Sequence, residues 1–83
     1  MDKETAQRFL PNSKYIWCLH CERVDMKSGW VNNYGYCPYE DCDGSAIDGW
    51  SWSKVQKFNP KYPSTPEYDI VYPLYSEEKT SSF

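Results

Sequence analysis

The chain has 83 residues, enough for one domain and not two. Its net charge of −3 gives no global attraction to nucleic acid, and no stretch is long and apolar enough to span a bilayer. Apolar residues make up 40% and aromatics 18%, with Leu, Ile and Val scarce. A core must therefore be built mainly from Trp and Tyr rings, and a chain this small often needs a staple: disulfides, a metal or a partner.

Residues 1–13 read as a polar N-terminal segment. Ala6, Phe9 and Leu10 fit one face of a short helix that Pro11 and Asn12 would end. The opening "MDKETAQRFL" is charged and has no apolar run, so it does not read as a secretory signal. This favours a cytoplasmic location, where thiols stay reduced.

"KYIWC" is β-branched and aromatic and predicts a strand running into Cys18. "ERVDM" predicts the return strand, with Val24 and Met26 on one face. "KSG" at 27–29 signals a turn. "WVNNYGYC" then reads as a strand interrupted by a bulge or tight turn, because Asn32, Asn33 and Gly35 all tolerate left-handed backbone.

Past Cys42, Ser45 with Asp48 three residues later resembles a helix start. Trp52, Val55 and Phe58 would share a face, and Asn59-Pro60 would stop the helix. Asp48-Gly49 between "AI" and "WSW" is the competing signal, for a hairpin. A helix over 46–58 is favoured.

Pro60, Pro63 and Pro66 exclude regular structure. "YDIVYPLY" at 68–75 alternates, with Tyr68, Ile70, Tyr72 and Leu74 on one side if extended. Pro73 makes it an edge strand or a docked strap. A strap over its own domain is preferred to a free PxxP ligand for another domain. Residues 76–83 read as a disordered tail. The expected organisation is thus a segment over 1–13, one domain over 14–75 and a tail.

The four cysteines form the pattern Cys18-x2-Cys21-x15-Cys37-x4-Cys42. Two disulfides, free thiols or a CxxC redox pair are alternatives. One metal held by all four explains both pairs together. Zinc is the default cation for a closed four-thiolate shell, with bonds of about 2.3 Å. A hairpin between two short turns would bring the sulfurs to one point. Four thiolates leave no open position, so the site would be structural rather than catalytic. His20 sits inside the first turn and is expected outside the ligand set, as an exposed hydrogen-bond donor. Tyr39, Glu40 and Asp41 would form an acidic loop tip between the second pair. Zinc with four thiolates carries −2, taking the net charge to roughly −5.

"CLHC", a hairpin-length gap and "CPYEDCDG" together resemble the two knuckles of a zinc ribbon, a rubredoxin-like fold, over roughly residues 15–50. The resemblance implies Cys18, Cys21, Cys37 and Cys42 as the ligands of one structural zinc. Pro38 would stiffen the second turn, and Gly44 stands near the family's glycine. Glu22 follows the first pair where the family often has glycine, and the second pair is two residues wider. Rubredoxins hold iron in the same shell and transfer electrons, but their pattern has two CxxC pairs at longer separation. Zinc is therefore favoured over iron.

The expected fold is a small metal-stapled domain, mainly β, with a ribbon-like hairpin core, a short helix and a Pro/Tyr-rich extended strap. No paired catalytic carboxylates, phosphate loop or histidine–nucleophile pair can be assigned, so an enzyme is not expected. A protein-binding module is the leading expectation. Lys54, Lys57 and Lys61 beside Trp50 give the weaker alternative of a single-strand nucleic-acid binder. The sequence does not specify the oligomeric state.

Overall fold

A computed structural model describes residues 1–74. Tyr75 and the tail read as disordered at 76–83 lie outside them. The elements in chain order are α1 (Lys3–Phe9), β1 (Tyr15–Cys18), β2 (Val24–Met26), α2 (Lys27–Asn32), a 3-10 turn (Ala46–Asp48), β3 (Gly49–Ser51) and α3 (Trp52–Phe58). They make a small mixed α/β domain, where the sequence suggested a mainly β one.

The sheet is antiparallel, ordered β2-β1-β3. β1 is central because its apolar run can be buried on both faces. Ile16, Trp17 and Cys18 are each 0% exposed. Successive side chains of a strand point to opposite faces, and this alternation sorts the interior in two. Ile16 and Cys18 pack with Ala6, Leu10, Trp30, Cys37, Cys42 and Ala46 on one side. Trp17 packs with Val24, Trp52, Val55, Tyr72 and Leu74 on the other. Each wholly buried indole removes enough apolar surface to contribute on the order of 4–6 kcal/mol. Trp17 donates its ring N–H to the Tyr72 carbonyl at 2.9 Å. The N–H of Trp30 is buried without a partner among the described residues, which offsets part of that gain.

α1 forms as its sequence suggests. Asp2 caps it by accepting from the Thr5 amide at 2.7 Å. Ala6 and Leu10 face the core, but Phe9 is 51% exposed, because the narrow stripe packed against α2 has room for only one residue per turn.

The turn at "KSG" and the strand at "WVNNYGYC" are overturned: residues 27–32 are α2. Local propensity is poor there, and packing decides instead. The helix puts Trp30 wholly inside the first cluster. A Cβ at Gly29 would lie 2.8 Å from Asp25 Oδ2, so a larger residue there would displace that carboxylate. The chain then reverses through Tyr34 (φ 58°) and Gly35 (φ 88°), with the Gly35 amide donating to the Trp30 carbonyl at 2.9 Å. Left-handed backbone therefore falls on Tyr34 and Gly35.

Residues 46–58 are neither one helix nor a hairpin. Ser45 and Asp48 do make the reciprocal cap, but it closes a single 3-10 turn. β3 then joins the edge of β1, with Trp17 opposite Trp50. α3 begins at Trp52, where the Ser51 hydroxyl accepts from the Lys54 amide. Trp52 and Val55 are buried and Phe58 is 46% exposed.

The strap docks on its own domain without forming a strand. Trp52 and Gln56 donate to the Pro63 carbonyl, and Tyr62 to that of Pro73. Asn59, buried at the end of α3, donates to the Leu74 carbonyl. The rings of Trp52, Tyr62 and Tyr72 pack with centroids 4.9–5.9 Å apart. Only Tyr72 and Leu74 of the predicted apolar row are buried. Asp69 has a φ of 61°, which breaks the alternation and leaves Tyr68 and Ile70 exposed.

Candidate metal centre

The first cysteine pair sits at the turn from β1 to β2. Cys18 ends the central strand, so the sheet fixes its sulfur. The turn closes through the Glu22 amide, which donates to the Cys18 carbonyl at 2.6 Å, and the Cys18 amide, which donates to the Arg23 carbonyl at 2.9 Å. Closing it this tightly puts Glu22 at a φ of 61°, the left-handed region in which glycine carries no steric penalty.

The second pair is carried by the loop after α2, not by a second hairpin turn. The hairpin expected between the pairs is absent because α2 occupies its place. Asn33 Nδ2 holds the loop by donating to the Cys37 carbonyl at 2.9 Å. The Cys37 amide donates to the Gly44 carbonyl, and the Cys42 amide to that of Tyr39.

These constraints bring Cys18, Cys21, Cys37 and Cys42 together, with all four Sγ atoms within 4.8 Å of one another. Cys18 and Cys42 lie 3.7 Å apart, as do Cys21 and Cys37. A disulfide would need about 2.05 Å, and the four are free thiols. A tetrahedral shell with metal–sulfur bonds of about 2.3 Å has edges of about 3.8 Å. The cluster fits that shell. Gly44 is required beside it, because a Cβ there would lie 2.8 Å from Cys18 Sγ and 3.3 Å from Cys42 Sγ.

Backbone N–H groups already face the sulfurs. The Gly44 amide donates to Cys42 Sγ at 3.3 Å, and those of Cys21 and His20 favour the Cys18 thiolate. The Cys37 thiol donating to it is the larger influence, and Cys18 is pushed down to about 5. Cys37 is pushed up by that same bond and then by burial, and burial pushes Cys42 up to about 11. A cation among the four sulfurs would favour the thiolate form at each of them.

His20 is exposed, and its Nδ1 lies 3.3 Å from Cys42 Sγ, so the ring faces the cluster. Tyr39 does not belong to an exposed tip. Its hydroxyl donates to the Val24 carbonyl at 2.6 Å and accepts from the Asp69 amide at 2.8 Å. Asp41 and Asp69 both pair with Arg23, whose guanidinium lies 4.2 Å from the Tyr39 ring centre. Asp41 holds Arg23 strongly protonated, with Cys21 adding to the effect. Sequence reasoning missed this Arg23–Tyr39–Asp69 node, because nothing in the spacing ties residue 69 to residues 23 and 39.

The basic stripe is also reduced. α3 ends at Phe58, so Lys61 lies beyond it, and Lys54 Nζ sits over the Trp50 ring at 4.3 Å.

Fold and site together define a small mixed α/β domain with four cysteines positioned to bind a metal ion. No protein-family model matches the chain, and no curated protein or solved structure is significantly similar to it. Among the described residues, no helix is long and apolar enough to cross a membrane.

Proposed function

We propose that this chain is a small structural zinc module that serves in protein interaction and has no catalytic role. The observation that carries the reading is the sulfur geometry: four Sγ atoms within 4.8 Å, with two edges of 3.7 Å. Four thiolates complete a zinc shell and leave no position for water or substrate. Zinc at such a centre supplies cross-linking charge and no redox chemistry. Cys18 and Cys21 would hold it from the end of β1 and the turn that follows, and Cys37 and Cys42 from the loop after α2, in the manner of a ribbon's two knuckles. The left-handed Glu22 supports that comparison, since it adopts the backbone for which the family often uses glycine.

Protein partners are favoured over nucleic acid. The net charge of −3 falls to roughly −5 with four thiolates and zinc, and Lys54 covers the Trp50 ring a base would stack on. A cytoplasmic setting would keep the thiols reduced.

Cobalt substitution tests the site. Cobalt(II) bound by four thiolates should give intense visible bands at one ion per chain, and Cys37→Ser should weaken them. Absence of thiolate–cobalt absorption in a folded chain would overturn the reading. A red protein from iron-replete cells would replace zinc with iron and make electron transfer the function. Affinity for single strands that falls steeply with salt would favour the nucleic-acid alternative.

A further inference from the structure

The strap and the cysteine cluster lie on opposite faces of the sheet, yet residues of the two cysteine turns hold the strap. Glu22, directly after Cys21, accepts twice. Its carbonyl receives the Tyr72 amide at 2.7 Å, and its carboxylate receives the Leu74 amide at 3.3 Å. Arg23, the next residue, pairs with the Asp69 carboxylate at 3.0 Å. Tyr39, between Cys37 and Cys42, receives the Asp69 amide at 2.8 Å. Both cysteine turns therefore grip the strap, and they grip it at the same residue.

Each grip depends on a conformation that the cysteine turn sets. Glu22 presents its carbonyl to Tyr72 from within the first cysteine turn, where its φ is 61°. Tyr39 reaches Asp69 only while the loop from Cys37 to Cys42 lies against the β1–β2 turn. Arg23 joins the pieces from both turns, pairing with Asp41 of the loop and Asp69 of the strap. The Arg23 side chain is 13% exposed, while the Asp41 and Asp69 carboxylates that it holds face solvent at 74% and 75%. Within the cluster, Cys21 faces Cys37 and Cys18 faces Cys42. An ion bound there would cross-link the two turns.

We propose that the metal centre latches the strap: the ion holds the two cysteine turns in the register that grips residues 69–74, and its loss frees the strap from Trp17 and Trp52. The proposal rests on the metal-site reading above. Its consequence is a metal-dependent cover. With the strap docked, Trp17, Trp52 and Val55 are enclosed by Tyr72 and Leu74. Release of the strap uncovers the aromatic face of the sheet and is the first step of the unfolding that metal loss brings. Coupling of this kind is reciprocal, so a strap that docks better on the metal-bound form must strengthen metal binding by the same factor.

The test uses the full chain loaded with zinc. Asp69→Asn removes the carboxylate that Arg23 grips, while asparagine tolerates the left-handed backbone at that position. Tyr39→Phe removes the hydroxyl that receives the Asp69 amide. Zinc affinity is measured by competition with a chromophoric chelator, and amide exchange is followed at Tyr72, Leu74 and Ile16. The expected result is an affinity loss of about tenfold in each variant, with faster exchange at Tyr72 and Leu74 and unchanged exchange at Ile16. Unchanged affinity in folded, zinc-bound variants would overturn the latch. So would weaker affinity with full protection at Tyr72 and Leu74, since the effect would then stay within the cysteine turns. A wild-type chain that binds no zinc would instead defeat the metal-site reading itself.

Discussion

Glu22 shows how much chemistry one backbone angle can carry. Left-handed backbone costs a residue with a Cβ about 1–2 kcal/mol, and Glu22 holds it while its carbonyl and carboxylate both accept strap amides. Gly44 carries the opposite constraint, one of space. Gly44→Ala would place a methyl group 2.8 Å from Cys18 Sγ. It should weaken zinc binding roughly ten- to hundredfold, the range for residues that support metal ligands, as read by chelator competition. Asp2 is a simpler case. The Thr5 amide holds its carboxyl below the ordinary value of 3.8. Because the folded value is the lower one, the charge-dependent part of this cap is complete above 3.8. It is lost as pH falls through the folded value. A carboxyl NMR titration should find the Asp2 midpoint below 3.8. Unfolding the chain in urea removes that donor and should return the midpoint to the ordinary value.

At the scale of elements, the strands around the first cysteine pair were legible because β-branched and aromatic residues cluster in "YIWC" and "RVDM". α1 was legible from its apolar spacing and its stop at Pro11. α2 was not. Ser28, Gly29, Val31 and Asn32 have little helical preference, and the helix seats Trp30 in the cluster with Cys18 and Leu10, a demand made by tertiary packing. The cysteine cluster was legible from the spacing of the two pairs, although the hairpin expected to join them is replaced by β2, α2 and the loop after it. The strap's attachment was hidden because its partners, residues 22, 23 and 39, are far from it in sequence. Two measurements probe these elements. Leu10→Ala should cost about 2–5 kcal/mol in urea unfolding of the metal-loaded chain, because Leu10 is 3% exposed and anchors the end of α1. Gly35→Ala should cost on the order of 1–2 kcal/mol, since φ is 88° there and a Cβ would lie 3.1 Å from Met1 Cγ.

For the whole molecule, the central sheet divides a small aromatic interior into two parts that meet only around β1. The cysteine side is built from few aliphatic residues and one indole N–H that has no partner among the described residues. The strap side is built from rings whose polar ends find carbonyls at Pro63, Tyr72 and Pro73. A chain of this size has little stability in reserve, and an ion cross-linking β1 to the loop after α2 would supply what the cysteine side lacks. Metal binding and folding are then one equilibrium, and a strong chelator should unfold the chain under reducing conditions. The most direct test is the metal content of protein purified without added metal, measured together with its circular dichroism. One zinc per chain in the folded protein, lost with the fold on chelation, is the predicted result. A metal-free chain with the same folded spectrum would contradict the account.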